Sequence, residues 1–182
     1  MKRALLIIAV VLLLPGAAFS QSTVGMFFDG PYVMHYSPAA GEWFEAYLYI
    51  HNADYYVTGL EYQLLTPMDP THALLMVGPI TYPDNSALQI GDPFGGHTIT
   101  YWPPLNGYMP GYNLLATITF YSPSGCEGIA DYPLVIGPHP ESGMLRATYY
   151  PDNEYIYPAG LTSLLCPLET GVEDESWGAI KS

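Results

Sequence analysis

Two glutamates in segments of alternating polarity, Glu45 and Glu61, are the residues best suited to acid–base chemistry. Glycosidases use a pair of carboxyl groups that face each other across a cleft, about 5 to 10 Å apart. If the two segments are antiparallel neighbours joined by a turn at residues 52–54, both side chains would project from one face of a sheet. Exposed glutamates are also common on any solvated sheet face. A small β-sandwich glycoside hydrolase is therefore an alternative hypothesis and not the preferred one.

Metal and nucleophile chemistry have no matching motif in the chain. The histidines occur singly, without H-x-H or H-E-x-x-H spacing, and we interpret them as scattered loop residues: His35, His51, His72, His97 and His139. No C-x-x-C pair and no G-x-S-x-G elbow occurs. The sequence thus predicts no catalytic residue, no metal ligand and no cofactor. The turns "DPTH", "PDNS" and "PDNE" carry oxygen atoms, so a structural calcium ion is the one ion that stays open.

An aromatic segment, "YWPPLNGYMPGY", is the better candidate for a site. It places Tyr101, Trp102, Tyr108 and Tyr112 in one predicted loop rich in proline and glycine. Flat aromatic faces bind sugar rings and proline-rich peptides, so we predict these four residues as ligand-binding. The alternative is that tyrosine packing on proline orders the loop without any ligand. The same two interpretations apply to the tyrosines of the opening strands, namely Tyr47, Tyr49, Tyr55 and Tyr62.

The chain begins with the features of a secretory signal peptide. Residues 1–20 combine a basic start, the apolar run "ALLIIAVVLLL" and a segment with small residues at Ala18 and Ser20, which predicts cleavage before Gln21. The apolar run is short for a membrane span, and no later segment is long enough for one. We therefore predict a secreted, extracellular or cell-surface protein, with the periplasm as the alternative compartment.

Export determines how the two cysteines are interpreted, because thiols tend to pair in an oxidising compartment. The sequence predicts a disulfide between Cys126 and Cys166, and the alternative is two separately buried thiols. Without residues 1–20, two basic residues stand against 17 acidic ones, a net charge of −15. Such a charge disfavours nucleic acid, anionic lipid and acidic polysaccharide as partners.

The 18 glycines and 18 prolines are spread along the chain and punctuate many short segments. Nine of these segments read as strands, several with period-two alternation, and none shows a sustained helical period. This pattern predicts an all-β, nine-stranded antiparallel β-sandwich over residues 21–167. Residues 168–182 lose the strand pattern and gather four acidic residues before "WGAIK", which predicts an acidic flexible tail.

Three segments in order, "AYLYIHNADYYVTGLEYQLL", "GYNLLATITFYSPSG" and "LRATYYPDNEYIYPAGLTSLL", resemble the cohesin-like domains of secreted bacterial proteins, which are related to carbohydrate-binding modules. The resemblance spans roughly Val24 to Pro167. It implies a nine-stranded jelly-roll sandwich that serves as a binding or scaffolding module without catalysis. It does not imply a dockerin partner.

These observations together predict an exported, non-catalytic recognition or assembly module. Its partner would be a glycan or a protein at or outside the cell surface. The alternatives are a structural subunit of a surface layer or fibre, and the small glycoside hydrolase considered above.

Overall fold

The computed structural model describes residues 22–29, 33–51, 56–65, 76–105, 112–127 and 130–168. The predicted signal peptide and all but Leu168 of the predicted tail lie outside these ranges. The described residues form thirteen strands: β1 (Thr23–Phe27), β2 (His35–Tyr36), β3 (Glu42–His51), β4 (Tyr56–Leu65), β5 (Met76–Thr81), β6 (Ser86–Asp92), β7 (Gly96–Leu105), β8 (Tyr112–Ser122), β9 (Tyr132–Gly137), β10 (Arg146–Tyr150), β11 (Tyr155–Ile156), β12 (Ala159–Gly160) and β13 (Thr162–Leu165).

The strands form two packed sheets. The five-stranded sheet has the order β12-β1-β3-β8-β5. The eight-stranded sheet runs β11-β10-β4-β9-β13-β2, and β7 pairs with β4 and with β6. No helix occurs in the described ranges. These ranges therefore contain no helix that is long and apolar enough to cross a bilayer. The predicted all-β sandwich is confirmed.

Each of the nine predicted strands is present, and four strands were not predicted. Three of these, β2, β11 and β12, contain only two residues each, and the fourth is the seven-residue β6. Most pairings between the described strands are antiparallel, as predicted. Two short pairings, β1 with β12 and β13 with β2, are parallel. In both, a two-residue strand extends the edge of a sheet.

Alternation along β3 determines which of its residues enter the core. Phe44, Ala46, Leu48 and Ile50 are buried, as the period-two pattern predicts. Their neighbours across the sheet are residues 113–120 of β8. A register shift after Leu48 interrupts this pairing, and both Leu115 and Ala116 are buried there. The bulge therefore moves one inward position of β8 from Leu114, which is only partly buried, to Leu115.

Consecutive strands β3 and β4 lie in different sheets. Glu45 is on β3 in the five-stranded sheet and Glu61 is on β4 in the eight-stranded sheet, each on the side away from the core. The hypothesis that these two carboxylates share one sheet face was wrong, because the strands are not neighbours. Without that shared face they cannot act as the two groups of a glycosidase.

The predicted disulfide between Cys126 and Cys166 is confirmed. The two Cα atoms are 5.4 Å apart, a separation typical of such bonds. Cys126 follows β8 of the five-stranded sheet and Cys166 follows β13 of the eight-stranded sheet. The bond therefore joins the two layers of the sandwich.

Candidate functional site

The outward surface of β6, β7, β4, β10 and β11, called here the Trp102 face, carries an unusual set of side chains. Cross-strand pairing aligns its residues in two rows. One row is Ile90, Thr98, Glu61 and Arg146, and the other is Leu88, Thr100, Gly59, Thr148 and Tyr155. Neighbours in such rows have Cβ atoms about 4.5 to 5.5 Å apart, so each row is a continuous contact surface.

The hairpin formed by β6 and β7 positions one side of this face. Asp92 ends β6, and its Oδ1 atom accepts hydrogen bonds of 2.9 Å from the backbone N–H groups of Phe94 and Gly95. Gly91 and Gly96 flank this turn with φ of 77° and 109°, a region that favours glycine. The turn holds Leu88 and Ile90 of β6 beside β7, with both side chains exposed.

Trp102 lies further along β7 and is 66% exposed. Its ring meets Tyr150 of β10 edge-on, with 6.3 Å between ring centroids. Offset and edge-on contacts of this kind hold aromatic rings in place without burying them. The indole is therefore presented to solvent on an ordered sheet and not on a loop.

Arg146 provides the positive charge of the face, at the end of its row beside Glu61. Its guanidinium donates two hydrogen bonds to Glu61, of 2.8 and 2.9 Å, and lies 4.6 Å from the ring centroid of Tyr155. These bonds lower the pKa of Glu61, so its carboxyl group is ionised and is a poor proton donor. Of the residues that the structure describes, Arg146 is the one lysine or arginine.

Gly59 makes the middle of the face concave. A Cβ atom at this position would lie 2.8 Å from Oγ1 of Thr148, so a larger residue does not fit unless the Thr148 side chain moves. The result is a shallow depression of about 120 Å³, bordered by Thr98, Thr100 and Tyr155. This volume is below the range of about 300 to 1,000 Å³ that is typical of small-ligand sites.

The four predicted ligand-binding residues do not form one cluster. Tyr101 and Trp102 lie on opposite sides of β7, because successive residues of a strand face opposite ways. Tyr101 is buried, and its hydroxyl donates a hydrogen bond of 2.9 Å to the backbone oxygen of Leu115. Its ring therefore offers no free face to a ligand. Tyr108 and the side chain of Tyr112 lie outside the described residues.

Sequence reasoning missed Leu88 and Ile90, since the segment "SALQIGD" was not recognised as a strand. Their period-two spacing was the available signal.

The tyrosines of the opening strands also divide between two environments. Tyr47 and Tyr49 are half-buried on the outward side of β3. Tyr62 is fully buried, and its hydroxyl lies 3.1 Å from Nδ1 of His97. Tyr55 falls outside the described residues. Burial in the core thus explains Tyr62, whereas Tyr47 and Tyr49 lie partly exposed on the outward side of their sheet.

His97 is a core residue of β7 and not the loop residue that the sequence predicted. Its ring lies between the hydroxyl groups of Tyr62 and Tyr82, at 3.1 and 3.3 Å. The pKa of His97 is lowered from its ordinary 6.5 to about 4, mainly because the ring is buried. The nearby Asp92 acts in the opposite direction and raises the pKa by a smaller amount. In the described ranges no group of three or more His, Cys, Asp or Glu residues could hold a metal ion.

This lowered pKa predicts a loss of stability in mild acid. Between about pH 6.5 and pH 4 the unfolded chain binds a proton at His97 that the folded chain does not. We expect the free energy of unfolding to fall by on the order of 2 kcal/mol from pH 6.5 to pH 4.5. Urea titrations across this range would measure it, with His97→Gln as the control that removes the titrating group. An equally steep fall in the variant would contradict the assignment.

Comparison with known proteins gives the context of this fold. No model of a protein family matches the chain, and no curated protein matches it. A non-cellulosomal cohesin from the archaeon Archaeoglobus fulgidus is 14% identical, with 82% of this chain and 94% of that chain covered and a TM-score of 0.52. The cohesin module of a Clostridium perfringens family 33 glycoside hydrolase is 14% identical, with 81% and 98% covered and a TM-score of 0.50.

A third solved structure is the third ScaB cohesin of R. flavefaciens in complex with a group 1 dockerin. It is 11% identical to this chain and has a TM-score of 0.52. The match covers 81% of this chain and 96% of that chain. All three likenesses extend over most of both chains. The chain therefore has a cohesin-like β-sandwich fold.

Proposed function

We propose that this chain is a non-catalytic recognition module, which binds a partner protein through the Trp102 face. The observation that carries the proposal is the exposure of Trp102, Leu88 and Ile90 together on one ordered sheet. Large apolar side chains exposed singly need no explanation, whereas a contiguous group on one face is typical of a protein-interaction site.

The composition of the face supports a protein partner. Tryptophan, tyrosine and arginine are the residue types that contribute most of the binding energy at protein interfaces. The Trp102 face combines Trp102, Tyr150, Tyr155 and Arg146 with the threonines of its two rows. Arg146 is held by Glu61 before any partner arrives, so little side-chain freedom is lost on binding.

The class of partner is the finer part of the proposal. A cohesin with this fold was solved with a dockerin, so a dockerin-bearing protein is the first partner to test. The fold alone supports this choice, since the identity is 11%. The strongly acidic composition favours a partner whose contact surface is neutral or basic.

We also propose that the module acts outside the cytoplasm, at or beyond the cell surface. The disulfide between Cys126 and Cys166 supports this location, because such bonds persist in oxidising compartments. The sequence of residues 1–20 supports it independently, because it has the pattern of a secretory signal.

The test compares two exposed tryptophans on opposite sheets. Trp102→Ala should weaken binding of a partner by about 1 to 3 kcal/mol, because a central aromatic anchor is lost. Trp43→Ala is the matched control, since Trp43 is exposed on the five-stranded sheet and is 59% accessible. Each immobilised variant would be exposed to the culture supernatant and to a purified dockerin. The proteins captured would then be identified, and their affinities measured by calorimetry.

Three outcomes would oppose the proposal. Equal loss of binding in both variants would indicate unfolding and would be checked by the melting temperature. Binding that survives Trp102→Ala but not Trp43→Ala would assign the partner to the other sheet. Concentration-dependent self-association of the purified protein, abolished by Trp102→Ala, would instead favour the structural-subunit hypothesis.

A further inference from the structure

A second candidate site lies on the five-stranded sheet, on the side of the sandwich opposite the Trp102 face. Along β3, the pairing with β1 covers residues 47–51 and ends there. Beside residues 42–46 of β3, no described strand continues the sheet on that side. This notch forms a depression of about 590 Å³, within the range of about 300 to 1,000 Å³ that is typical of small-ligand sites.

The floor of the depression is a rigid aromatic cluster. Phe28 stacks on Tyr36 with 5.5 Å between ring centroids, and Tyr36 lies 5.0 Å from Phe44. Phe44 in turn packs against Phe120 of the core at 5.6 Å. The floor is therefore anchored in the core of the sandwich and would not need to reorganise on binding.

Trp43 forms one wall as an exposed flat platform. Its ring packs against Tyr121 at 4.8 Å and reaches across β8 to β5. A Cβ atom at Gly78 of β5 would lie 2.9 Å from Cζ3 of Trp43, so this position of the indole requires glycine there. The remaining indole surface is exposed and is free to stack on a ligand.

The polar rim consists of hydrogen-bonding groups that are already oriented. Tyr47 donates a hydrogen bond of 2.8 Å to Oε2 of Glu45, which fixes both side chains. This bond to the carboxylate is the main cause of the raised pKa of Tyr47. Asp29 and Thr119 complete the rim. The groups offered are thus carboxylate and hydroxyl oxygens, which suit a ligand with several hydroxyl groups.

The arrangement favours a chain of sugar units over a cation. Trp43 and Tyr47 are four residues apart on β3, about 13 Å along the strand, so one small cation cannot contact both. A cation against an exposed ring gains only about 0.5 to 1 kcal/mol. Asp29 and Glu45 would repel an anionic sugar. An extended, uncharged ligand with apolar ring faces and many hydroxyls satisfies all of these constraints.

We propose that this depression binds a neutral oligosaccharide, which stacks on Trp43 and donates hydrogen bonds to Glu45 and Asp29. The site does not involve the Trp102 face, so this proposal stands or falls independently of the partner-protein proposal.

The test is a calorimetric titration of the purified protein with soluble neutral hexasaccharides of glucose, xylose and mannose. A hexauronate and hexalysine serve as the anionic and cationic comparison ligands. At least one neutral hexasaccharide should bind, with an affinity that is the same at low salt and at about 1 M salt. Trp43→Ala should weaken this binding about tenfold or more. Glu45→Gln should weaken it by about fivefold, and Trp102→Ala should leave it unchanged.

Several results would overturn the proposal. One is the absence of millimolar binding by every neutral hexasaccharide. Another is binding that Trp43→Ala and Glu45→Gln do not change. Binding of hexalysine alone, lost in high salt and in Trp43→Ala, would show a site for basic peptides instead. Because both substituted side chains are exposed, the melting temperatures of the variants should match that of the parent protein.

Discussion

Replacing Tyr101 with alanine is expected to lower the free energy of unfolding by about 3 to 5 kcal/mol. The ring is buried between the sheets, and its hydroxyl is the donor to the backbone oxygen of Leu115. The substitution leaves a cavity and an unpaired buried carbonyl at the bulge of β8, and both effects destabilise the fold. Denaturant unfolding followed by circular dichroism measures the change.

Two variants separate the causes of that loss. Tyr101→Phe removes only the hydroxyl and should cost about 1 to 2 kcal/mol. Trp102→Ala, one residue away on the outer side of β7, should change stability by less than about 1 kcal/mol, because Trp102 is 66% exposed. Equal losses for Tyr101→Ala and Trp102→Ala would mean that the two side chains share one environment, contrary to the structure.

Removal of the disulfide is expected to have an effect of similar size. The bond closes a loop of 40 residues, for which the chain-entropy relation gives about 4 kcal/mol. The double variant Cys126→Ala and Cys166→Ala should therefore unfold at much lower denaturant concentration than the parent. Reduction of the parent protein should reproduce this shift, and reduction of the double variant should have no effect. A change below about 1 kcal/mol would show that the two layers hold together without the bond.

The strands and the core face of β3 were predicted from patterns of neighbouring residues in the sequence. Phe44, Ala46, Leu48 and Ile50 were assigned to the core because alternation in a strand depends only on neighbouring residues. The disulfide was predicted from the expected compartment and the presence of two cysteines. Neither inference needs knowledge of which strands pair.

The sheet to which each strand belongs could not be predicted from such local patterns. The short segment between β3 and β4 suggested a hairpin, yet the two strands belong to different layers and Glu45 never meets Glu61. Pairing between distant segments decides this arrangement, and alternation within one strand does not report it.

The residues of the Trp102 face also could not all be predicted from local sequence patterns. Pro103 and Pro104 made the segment after Trp102 look like a loop, whereas β7 continues through both to Leu105. Trp102 was grouped with Tyr101 on the basis of sequence, whereas Trp102 is exposed and Tyr101 is buried on the other side of β7. Leu88 and Ile90 join Trp102 only through the pairing of β6 with β7, which the sequence does not display.

The opposed outer faces of the two sheets have a consequence for avidity. The two sheets pack through their inner faces, roughly 10 Å apart. A ligand on the outer face of one sheet therefore leaves the outer face of the other sheet uncovered. A molecule tethered through Trp43 to a fixed polymer would hold Trp102 pointing away from that polymer. Many such molecules on one polymer would raise the effective concentration of Trp102 faces. A partner with several binding sites would then dissociate far more slowly than it would from a single molecule of this protein.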